Sequence, residues 1–583
     1  MTVGWGRILH VDLSSGKHRF EDIDPDVSRL WIGGKGLAGY YLLPEITRSP
    51  DDPALPLIFM AGPLTGTPAP ASGRICVMSK SPLTGAIGDC SVGGGFGWQL
   101  KKAGIDGIVI TGVSRRLCGI EISDENVSIE DAGRLEGTGT NEIYSRLKDK
   151  GSVACIGPAA EHGVLFSSIM VDGTFAAGRG GLGLVSASKN LKYVTVHGTG
   201  VVPVHDQEKL RKAGEDIRRL IAATPALTGE HGLQNCGTAA CYDLISCRRM
   251  MPTANFRKTF FPPAQSMNSH AFADAYRPKR YGCKACHVLC KRVGEDGTHL
   301  PEFETMSHFS ALIENENLSA VTEANRICNE AGMDTISAGA TLACFSEISG
   351  EKLTPARITE LLLDIAAGKG EGSELGQGSL RFAESKGCSD LSMSVKGMEL
   401  PGYDPRGAYG MALGYVTSTR GACHLRAYPI SHEILRKPVA TDRFSFAGKA
   451  RIVKIAEDMN AVIDSLTVCK FFLFGCSLEE YSSVLSAVTG TETSAQDLLA
   501  AGERIYFRER VMNAKCGFTS DDDDLPPRFF AEEGSSGDGI DIPPLNREDF
   551  LEARSKYYRI RGLDGKGIPL ENFAEELGLS ELL

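Results

Sequence analysis

The sequence has no long apolar segment and no leader-like amino terminus. No run of about 18 apolar residues occurs in the 583-residue chain. Its first residues do not show a charged region followed by an apolar one. We therefore predict neither a membrane-spanning helix nor a secretory signal. The start, MTVGWGRILHVDLSSGKH, predicts a β-hairpin, and we expect the protein to be cytoplasmic.

The chain also lacks an excess of positive charge. It has 62 Lys and Arg residues against 73 Asp and Glu residues, which gives a formal net charge of -11. This balance argues against a nucleic-acid partner, but it allows a local basic patch that binds an acidic carrier protein. The 17 cysteines are odd in number and scattered, which argues against a disulfide framework and for reduced thiols.

No internal repeat of about 20 to 50 residues is evident, and the secondary-structure pattern changes once along the chain. Up to residue 206 the chain is rich in glycine and in short β-type runs such as RILHVDL, LPLIFMAG and KYVTVHG. From Gln207 onward, apolar residues recur at helical spacing, as in EKLRKAGEDIRRLIAA. The pattern predicts an α+β protein with a β-rich amino-terminal domain and a helical remainder. The acidic segment 519–544 predicts a solvated loop.

Two glycine-rich stretches are candidate phosphate-binding turns. GRGGLG, at 178–183, matches G-x-G-x-x-G, but only LVSASKN separates it from the next strand, which ends in His197 and Gly198. A dinucleotide fold needs a longer helix and an acidic strand end there, so we reject NAD binding. In GDCSVGGGFGWQLKKAG, the glycines precede a predicted short helix. Its backbone N–H groups suit a phosphate, and a tight, closely packed turn explains the glycines equally well.

The stretch YGCKACHVLCKR contains Cys283, Cys286 and Cys290 in the spacing Cys-x2-Cys-x3-Cys. A structural zinc site needs four ligands, usually in two close pairs, and no second pair lies nearby. Three clustered cysteines with one distant cysteine are the common arrangement for a 4Fe-4S cluster. The spacing favours this cluster and leaves zinc as an alternative. Of many candidates for a fourth ligand, Cys469 is the most suggestive, because it follows Asp464 by five residues at the end of a helical pattern.

The chain resembles the tungsten-dependent aldehyde:ferredoxin oxidoreductase family over essentially its whole length. The resemblance rests on the number, order and spacing of its motifs, which are GWGRILHVDLSSGK, WIGGKGLAGYYL, GPLTGTPAPASGR, SKSPLTGAIGDCSVGGGFG, GRGGLGLVSASKNLK, MPTANF, CKACHVLCKR, PEFET, GMDTISAG, STRGACHLRAYP, DSLTVCKF and YYRIRGLDGKGIPLENFAEELGL. It implies a β-rich base domain (1–206) that binds two pterins and a helical domain (207–400) with the three-cysteine motif. It further implies a helical domain (401–583) with the fourth cysteine and an active-site histidine.

The resemblance also implies a set of cofactors and ligands. The cofactors are a tungsten bis-pyranopterin (tungstopterin), a 4Fe-4S cluster and a Mg2+ ion that bridges the two pterin phosphates. By matching motifs, the implied cluster ligands are Cys283, Cys286, Cys290 and Cys469. The implied cofactor-binding residues are Arg74, Ser91, Val92, Gly93, Gly94, Arg179, Gly180, Gly181, Gly183, Asp334, Asp464, Val468 and Cys469. The family can have Asn in place of Ser91, and it favours Gly-Leu in place of Thr467 and Val468.

Two further residues match the groups that lie near the metal in the family. They are Glu304 in PEFET and His424 in GACHLR. Oxidation of an aldehyde to an acid releases two electrons and takes an oxygen from water. A buried Glu304 suits a general base, and His424 suits a hydrogen-bond donor to a developing oxyanion. The ordinary alternatives are a helix-capping glutamate and a satisfied core histidine.

The resemblance implies an enzyme that oxidises aldehydes and passes electrons through the cluster to ferredoxin or to a ferredoxin-like subunit. A reductive tungsten subunit that acts on an aromatic acyl thioester or another acid stays open, although the sequence has no extra cysteine cluster for added cofactors. A zinc-stabilised, non-enzymatic binding protein also stays open. No Glu precedes a His by three residues. We therefore expect no iron shared between subunits, while a homodimer through another interface stays open.

Overall fold

The computed structural model describes residues 6–582. The first five residues of the expected hairpin and base domain, and the last residue of the third expected domain, lie outside the described residues. In the described part of the chain, no helix is long and apolar enough to cross a membrane.

Strands dominate the chain up to His197. They are β1 (Arg7–Asp12), β2 (Lys17–Asp22), β3 (Leu57–Met60), β4 (Ile75–Lys80), β5 (Ile87–Val92), β6 (Ile105–Thr111), β7 (Cys118–Ser123), β8 (Asn126–Asp131), β9 (Ser152–Ile156), β10 (Ile169–Val171), β11 (Phe175–Ala177) and β12 (Leu191–His197). The helices between them are α1 (Pro25–Trp31), α2 (Gly34–Leu42), α3 (Phe96–Lys102), α4 (Thr140–Leu147), α5 (Pro158–Glu161) and α6 (Leu182–Ser188). The runs RILHVDL, LPLIFMAG and KYVTVHG are therefore strands, as the sequence predicts.

These strands form two six-stranded sheets within residues 6–582. The strand orders are β2-β1-β6-β3-β4-β5 and β11-β10-β9-β12-β7-β8. Strands β1 and β2 pair in antiparallel register and form the expected hairpin. Strand β1 is parallel to β6, and β12 is parallel to β7. Apolar side chains from both sheets share one core, which includes Leu9, Phe59, Val77, Ile120 and Val194.

Helices make up most of the remainder. They are α7 (Gln207–Ala222), α8 (Pro225–Thr228), α9 (Leu233–Cys236), α10 (Ala240–Cys247), α11 (Ser269–Tyr276), α12 (Phe303–Phe309), α13 (Leu318–Ala331), α14 (Thr335–Ser349), α15 (Pro355–Ala367), α16 (Glu371–Leu375), α17 (Gly378–Ser385), α18 (Tyr409–Thr417), α19 (Ile430–Glu433), α20 (Lys449–Leu466), α21 (Leu478–Thr489), α22 (Ala495–Lys515), α23 (Arg528–Ala531), α24 (Arg547–Ile560) and α25 (Glu571–Glu576). Two short hairpins interrupt them, β13 (Lys279–Tyr281) with β14 (Lys291–Val293) and β15 (Ser394–Val395) with β16 (Met398–Glu399). The predicted α+β class is confirmed.

A close approach of α2 to α20 joins the helical part to the base. Gly34 opens α2 at a φ of +36°, and a Cβ at this position would lie 2.4 Å from the carbonyl oxygen of Asp464. Any side chain there would therefore push the two helices apart. The contact holds the end of α20, with Asp464 and the following Cys469, against the base.

The prediction for the acidic segment 519–544 is wrong for part of it. Asp523 is fully buried and forms ion pairs with Lys396 and, at 2.8 Å, with Arg510. Helix α23 also buries Arg528 and Phe529. The charge is tolerated because two buried cations compensate it. Lys396 lies 127 residues away along the chain, so a local reading of charge could not reveal this pairing.

Candidate functional site

The three-cysteine loop is closed by the hairpin of β13 and β14. Tyr281 and Lys291 pair across its antiparallel ladder, so the loop between them begins and ends at the same place. Cys283, Cys286 and Cys290 are all half-buried in this loop. The hairpin therefore presents three thiols as one group.

The fourth predicted ligand meets this loop through a segment of the base. The backbone N–H of Ala71 donates to the carbonyl oxygen of Ala285 at 2.8 Å, between two of the loop cysteines. The backbone N–H of Cys469 donates to the carbonyl oxygen of Ala71 at 3.2 Å. One residue of the base thus links the three-cysteine loop to a cysteine that lies almost 180 positions from it in the sequence.

The four thiols influence one another and Arg74 electrostatically. Burial raises the pKa of the Cys469 thiol to about 12, and Cys286 and Cys283 add to this increase. Burial also raises the pKa of Cys290, to which Cys469 and Cys283 contribute. Burial lowers the pKa of Arg74, but the thiols outweigh that effect and leave it above its ordinary value. Bound iron would supply the positive charge that makes such thiols ionise.

The turn after β5 lies directly against the cysteine loop. A Cβ on Gly93 would lie 2.3 Å from Cys283 Sγ, so a side chain there would displace the thiol. Arg74 Nε donates to Ser91 Oγ at 2.9 Å, and Arg74 Nη1 lies 4.0 Å from Cys283 Sγ. Val92 is buried beside them. The structure therefore brings these predicted residues to the thiol group, and Gly93 allows Cys283 to approach this turn closely.

The next glycines of this turn pack against the second sheet. Gly94 has a φ of +102°, and a Cβ there would lie 2.8 Å from Val171 Cγ1. The backbone N–H of Gly95 donates to Asp172 Oδ2 at 2.6 Å. Close packing thus explains why glycine stands at positions 94 and 95. One backbone N–H of the turn already donates to a protein carboxylate and is not free to bind a phosphate.

The GRGGLG turn joins β11 to α6, a helix of seven residues. Gly180 and Gly181 have φ values of +86° and +75°. A Cβ on Gly181 would lie 1.9 Å from the carbonyl oxygen of Leu165, and one on Gly183 would lie 2.8 Å from that of Ser168. The glycines therefore allow a turn that runs directly against neighbouring backbone.

Arg179 ties this turn to the helical part of the chain. Its Nη1 donates to the carbonyl oxygen of Ala422 at 2.8 Å, and its Nη2 donates to that of Glu399 at 2.6 Å. Its Nε donates to Asp334 Oδ2 at 3.2 Å. All three donations of Arg179 go to protein acceptors. Because one acceptor is the carbonyl of Ala422, Arg179 positions the segment that leads to His424.

The two predicted pterin-binding acids have different surroundings. Asp334 caps α14 and accepts from the backbone and the hydroxyl of Ser337, the latter at 2.8 Å. Asp464 forms an ion pair with Lys470 at 2.7 Å. Among residues 6–582, its buried Oδ1 has no hydrogen-bond partner. Asp464, beside the buried Val468, therefore keeps an acceptor available for a ligand that donates hydrogen bonds.

Glu304 and His424 form a close pair, in which His424 is buried and the Glu304 side chain is 17% exposed. Glu304 Oε1 lies 3.5 Å from His424 Nε2, and Glu304 Oε2 accepts from the backbone N–H of Gly402 at 2.8 Å. Within the described chain, Glu304 Oε1 and His424 Nδ1 are buried and have no hydrogen-bond partner. Burial raises the pKa of Glu304 to about 8 and lowers the pKa of His424 well below its ordinary value. Both groups are therefore mainly neutral near pH 7.

Two tyrosines lie beside this pair, and our sequence analysis missed both. The Tyr403 and Tyr428 rings have their centroids 5.5 Å and 6.1 Å from that of His424. Their hydroxyl groups lie 3.1 Å apart. Tyr428 occurs in the CHLRAYP stretch, four residues after His424, so an aromatic residue in that motif was the available signal.

A third residue that the sequence did not point to is Cys423, whose thiol is buried. Its sulfur accepts from Arg420 Nη2 at 2.9 Å and from the backbone N–H of Leu425 at 3.3 Å. Burial opposes ionisation, but Arg420, Arg426 and Lys470 lower the pKa of this thiol to about 7. In the described residues, Arg420 Nε is also buried without a hydrogen-bond partner. This concentration of buried cations fits an anionic cofactor, such as one that carries phosphates.

No group of three or more His, Cys, Asp or Glu side chains in residues 6–582 is arranged to hold one metal ion. In a 4Fe-4S cluster each thiolate binds a different iron, so its four sulfurs stand further apart than the ligands of one ion.

The chain is similar to known proteins over nearly its whole length. Residues 8–198 match the family model described as aldehyde ferredoxin oxidoreductase, N-terminal domain, and residues 212–579 match the model of domains 2 and 3. The chain is 39% identical to a tungsten-containing aldehyde ferredoxin oxidoreductase of Pyrococcus furiosus, with 99% of each chain covered. It is 38% identical, at the same coverage, to the protein of that name from Thermococcus kodakarensis.

A solved structure shares the fold. The active-site complex BamBC of benzoyl coenzyme A reductase, bound to 1,5-dienoyl-CoA, superposes with a TM-score of 0.85 over 100% of this chain and 98% of the other. The two sequences are 23% identical, so this likeness concerns the fold alone. From the two family models and the full-length relatives, the chain is an oxidoreductase that belongs to the aldehyde ferredoxin oxidoreductase family.

Proposed function

We propose that the protein oxidises aldehydes to carboxylic acids at a tungsten bis-pyranopterin and passes the electrons through a 4Fe-4S cluster to a ferredoxin. The full-length similarity to enzymes of that name supports the reaction. The observation that carries the proposal is the Glu304–His424 pair, whose buried atoms Glu304 Oε1 and His424 Nδ1 have no hydrogen-bond partner among the described residues. Such atoms are costly unless a ligand or substrate completes their hydrogen bonds.

Specific residues of this chain would hold the cofactors. The cluster ligands are Cys283, Cys286, Cys290 and Cys469, which lie together around Arg74. Asp464 would accept hydrogen bonds from one pterin through its unpartnered oxygen. The turns at Gly93–Gly94 and Gly180–Gly183 would lie against the two pterin phosphates and their Mg2+ ion. We retain 1–206, 207–400 and 401–583 as the three domains.

The reaction converts an aldehyde and water to a carboxylic acid, two electrons and two protons. A bound tungsten centre would supply the two-electron redox chemistry of this reaction, and a bound cluster would supply one-electron transfer. Glu304, when ionised, takes a proton from the water that attacks the carbonyl carbon. His424 donates a hydrogen bond to the oxygen on which negative charge develops. Tyr403 and Tyr428 exclude water from one side of the pair.

Metal content and turnover test the proposed function together. Anaerobically purified protein should contain about four iron and four sulfide per chain, together with tungsten. It should oxidise members of a panel of aliphatic and aromatic aldehydes with a viologen acceptor. One zinc per chain with negligible iron would instead support a zinc-stabilised binding protein. If the fully metallated protein oxidises no aldehyde, a reductive reaction on an acyl thioester or another acid becomes the better proposal.

Replacing Cys469 by Ser should leave the fold intact and make the cluster labile. The loop hairpin and the Ala71 contacts use backbone groups, so they do not depend on this thiol. Iron content and the visible absorption of the cluster should fall after exposure to air or chelator. Cys476→Ser, at a buried cysteine seven residues further on, is the matched control. Equal iron retention in Cys469→Ser and wild type would exclude Cys469 as a ligand.

A further inference from the structure

The surface around the three-cysteine loop is strongly basic. Residues 277–292 contain six Lys and Arg residues and no Asp or Glu, in a chain whose formal net charge is -11. Arg277, Lys279, Arg280 and Lys284 are all exposed, and Arg292 is half-buried. We call these five residues the cluster-loop basic surface. This surface is therefore positively charged, although the chain as a whole is negatively charged.

The charges of this surface are not compensated by carboxylates. Among residues 6–582, no Asp or Glu forms an ion pair with any of the five cations. Arg280 instead donates to Asn235 Oδ1 at 2.6 Å, and Arg292 donates to the carbonyl oxygen of Gln234 at 2.7 Å.

Helix α7 provides the contrast. Its exposed Arg211 forms ion pairs with Glu208 and Glu215 on the same helix. Surface cations of this protein can thus be paired by acids three or four residues away. Lys279, Arg280 and Lys284 have no acid three or four residues away. Asp274 lies at that spacing from Arg277, and Glu295 and Asp296 lie at it from Arg292, but the structure of residues 6–582 pairs none of them with these cations. The charge of the surface is therefore available to a partner.

This surface includes exposed residues of the loop that holds three of the proposed cluster ligands. Lys284 and His287 are exposed and stand next to Cys283 and Cys286 in the sequence. Lys284 and His287 therefore face solvent, while the neighbouring Cys283 and Cys286 belong to the thiol group. A carrier protein that bound this loop would contact residues adjacent to the proposed cluster ligands.

We propose that the cluster-loop basic surface docks an acidic iron–sulfur carrier protein, which receives electrons from the cluster. This inference rests on the proposed function, because it assumes that the four thiols hold a redox cluster. Carboxylates on the carrier would pair with Lys279, Arg280 and Lys284 and would steer its approach. A second copy of this chain does not suit the surface, because a two-fold contact would place the same cations opposite one another.

Charge reversal with a binding readout tests this docking. Wild-type holoenzyme and the variants Lys279→Glu/Arg280→Glu and Lys284→Glu would be titrated calorimetrically with an oxidised, acidic ferredoxin at low and high salt. We expect Kd to rise by about tenfold or more in the variants and, for wild type, with added salt. The milder Lys279→Gln/Arg280→Gln should shift Kd in the same direction by less. Turnover with a saturating dye and the iron content should not change.

The matched control is Arg115→Glu/Arg116→Glu. It reverses two exposed charges on the loop between β6 and β7, which contacts Asn190 instead of the cysteine loop. Its Kd should stay within about twofold of wild type. An unchanged Kd in both cluster-loop variants, with aldehyde turnover intact, would overturn the docking surface and leave the proposed function standing. A changed oligomeric state with an unchanged Kd would also overturn it, in favour of a second copy. If Kd rises as expected but no aldehyde is oxidised, the docking surface is supported and the proposed reaction fails.

Discussion

Replacing Glu304 by Gln is expected to lower the turnover number for aldehyde oxidation by about 10²–10⁴-fold, the usual contribution of a general base. The amide keeps the shape of the side chain and can still accept from the backbone N–H of Gly402, as Oε2 does in the wild type. It cannot take a proton from water. Tungsten and iron content should therefore match the wild type, and only the chemical step should slow.

The pH dependence distinguishes a base from a structural residue. Burial raises the pKa of Glu304 to about 8, and the ionised form is the active one. Wild-type kcat/KM should therefore rise with pH through this region and level off above it. In Glu304→Gln this rise should disappear. Glu314→Gln, at an exposed glutamate that pairs with Lys258, is the control and should leave both rate and profile unchanged. A near-normal rate in Glu304→Gln, or a preserved rise, would rule out this role.

Replacing His424 by Asn should lower the turnover number by about 10²–10³-fold, as loss of an oxyanion donor does. Burial lowers the pKa of His424 far enough that the ring is neutral and carries one proton. The shorter amide of Asn cannot place a donor where the imidazole does. Since the interaction develops with the charge, kcat should fall while KM changes little.

The control for this variant is His432→Asn, which removes a half-buried imidazole on the neighbouring helix α19. It should retain wild-type kcat. The double variant Glu304→Gln/His424→Asn should lose less than the product of the two single losses, because the pair acts as a unit at 3.5 Å. Fully multiplicative losses would mean that the two residues act independently. A normal kcat in His424→Asn would remove His424 from the catalytic site.

Local spacing accounts for the part of the site that the sequence could predict. The three loop cysteines lie within eight residues, so their spacing alone indicated a metal or cluster site. The role of Cys469 came from the family resemblance. Its geometric basis is the pair of backbone hydrogen bonds made by Ala71, a residue that carries no distinctive chemistry. Because this contact uses only backbone groups, no pattern of side chains in the sequence predicts it.

Packing between remote segments explains two features that the sequence did not reveal. Asp523 was read as solvated, because neighbouring acids normally face water, but distant Lys396 and Arg510 enclose it. Cys423 stands alone between Ala422 and His424, and nothing in that local sequence indicates a low thiol pKa. The cations packed around it lower its pKa to about 7. In both cases the decisive groups are brought close by packing of separate segments.

The sequence by itself determined the α+β order of elements, the family, and the identity of the candidate residues. These features depend on periodicity, spacing and motif order, which can be read along the linear chain without knowledge of its packing. Only the tertiary structure decided that Glu304 and His424 face each other, that Asp464 and Asp334 differ in their free acceptors, and that uncompensated cations surround the cysteine loop. Distances between remote segments and the cost of desolvation arise when elements pack, and a linear pattern does not contain them.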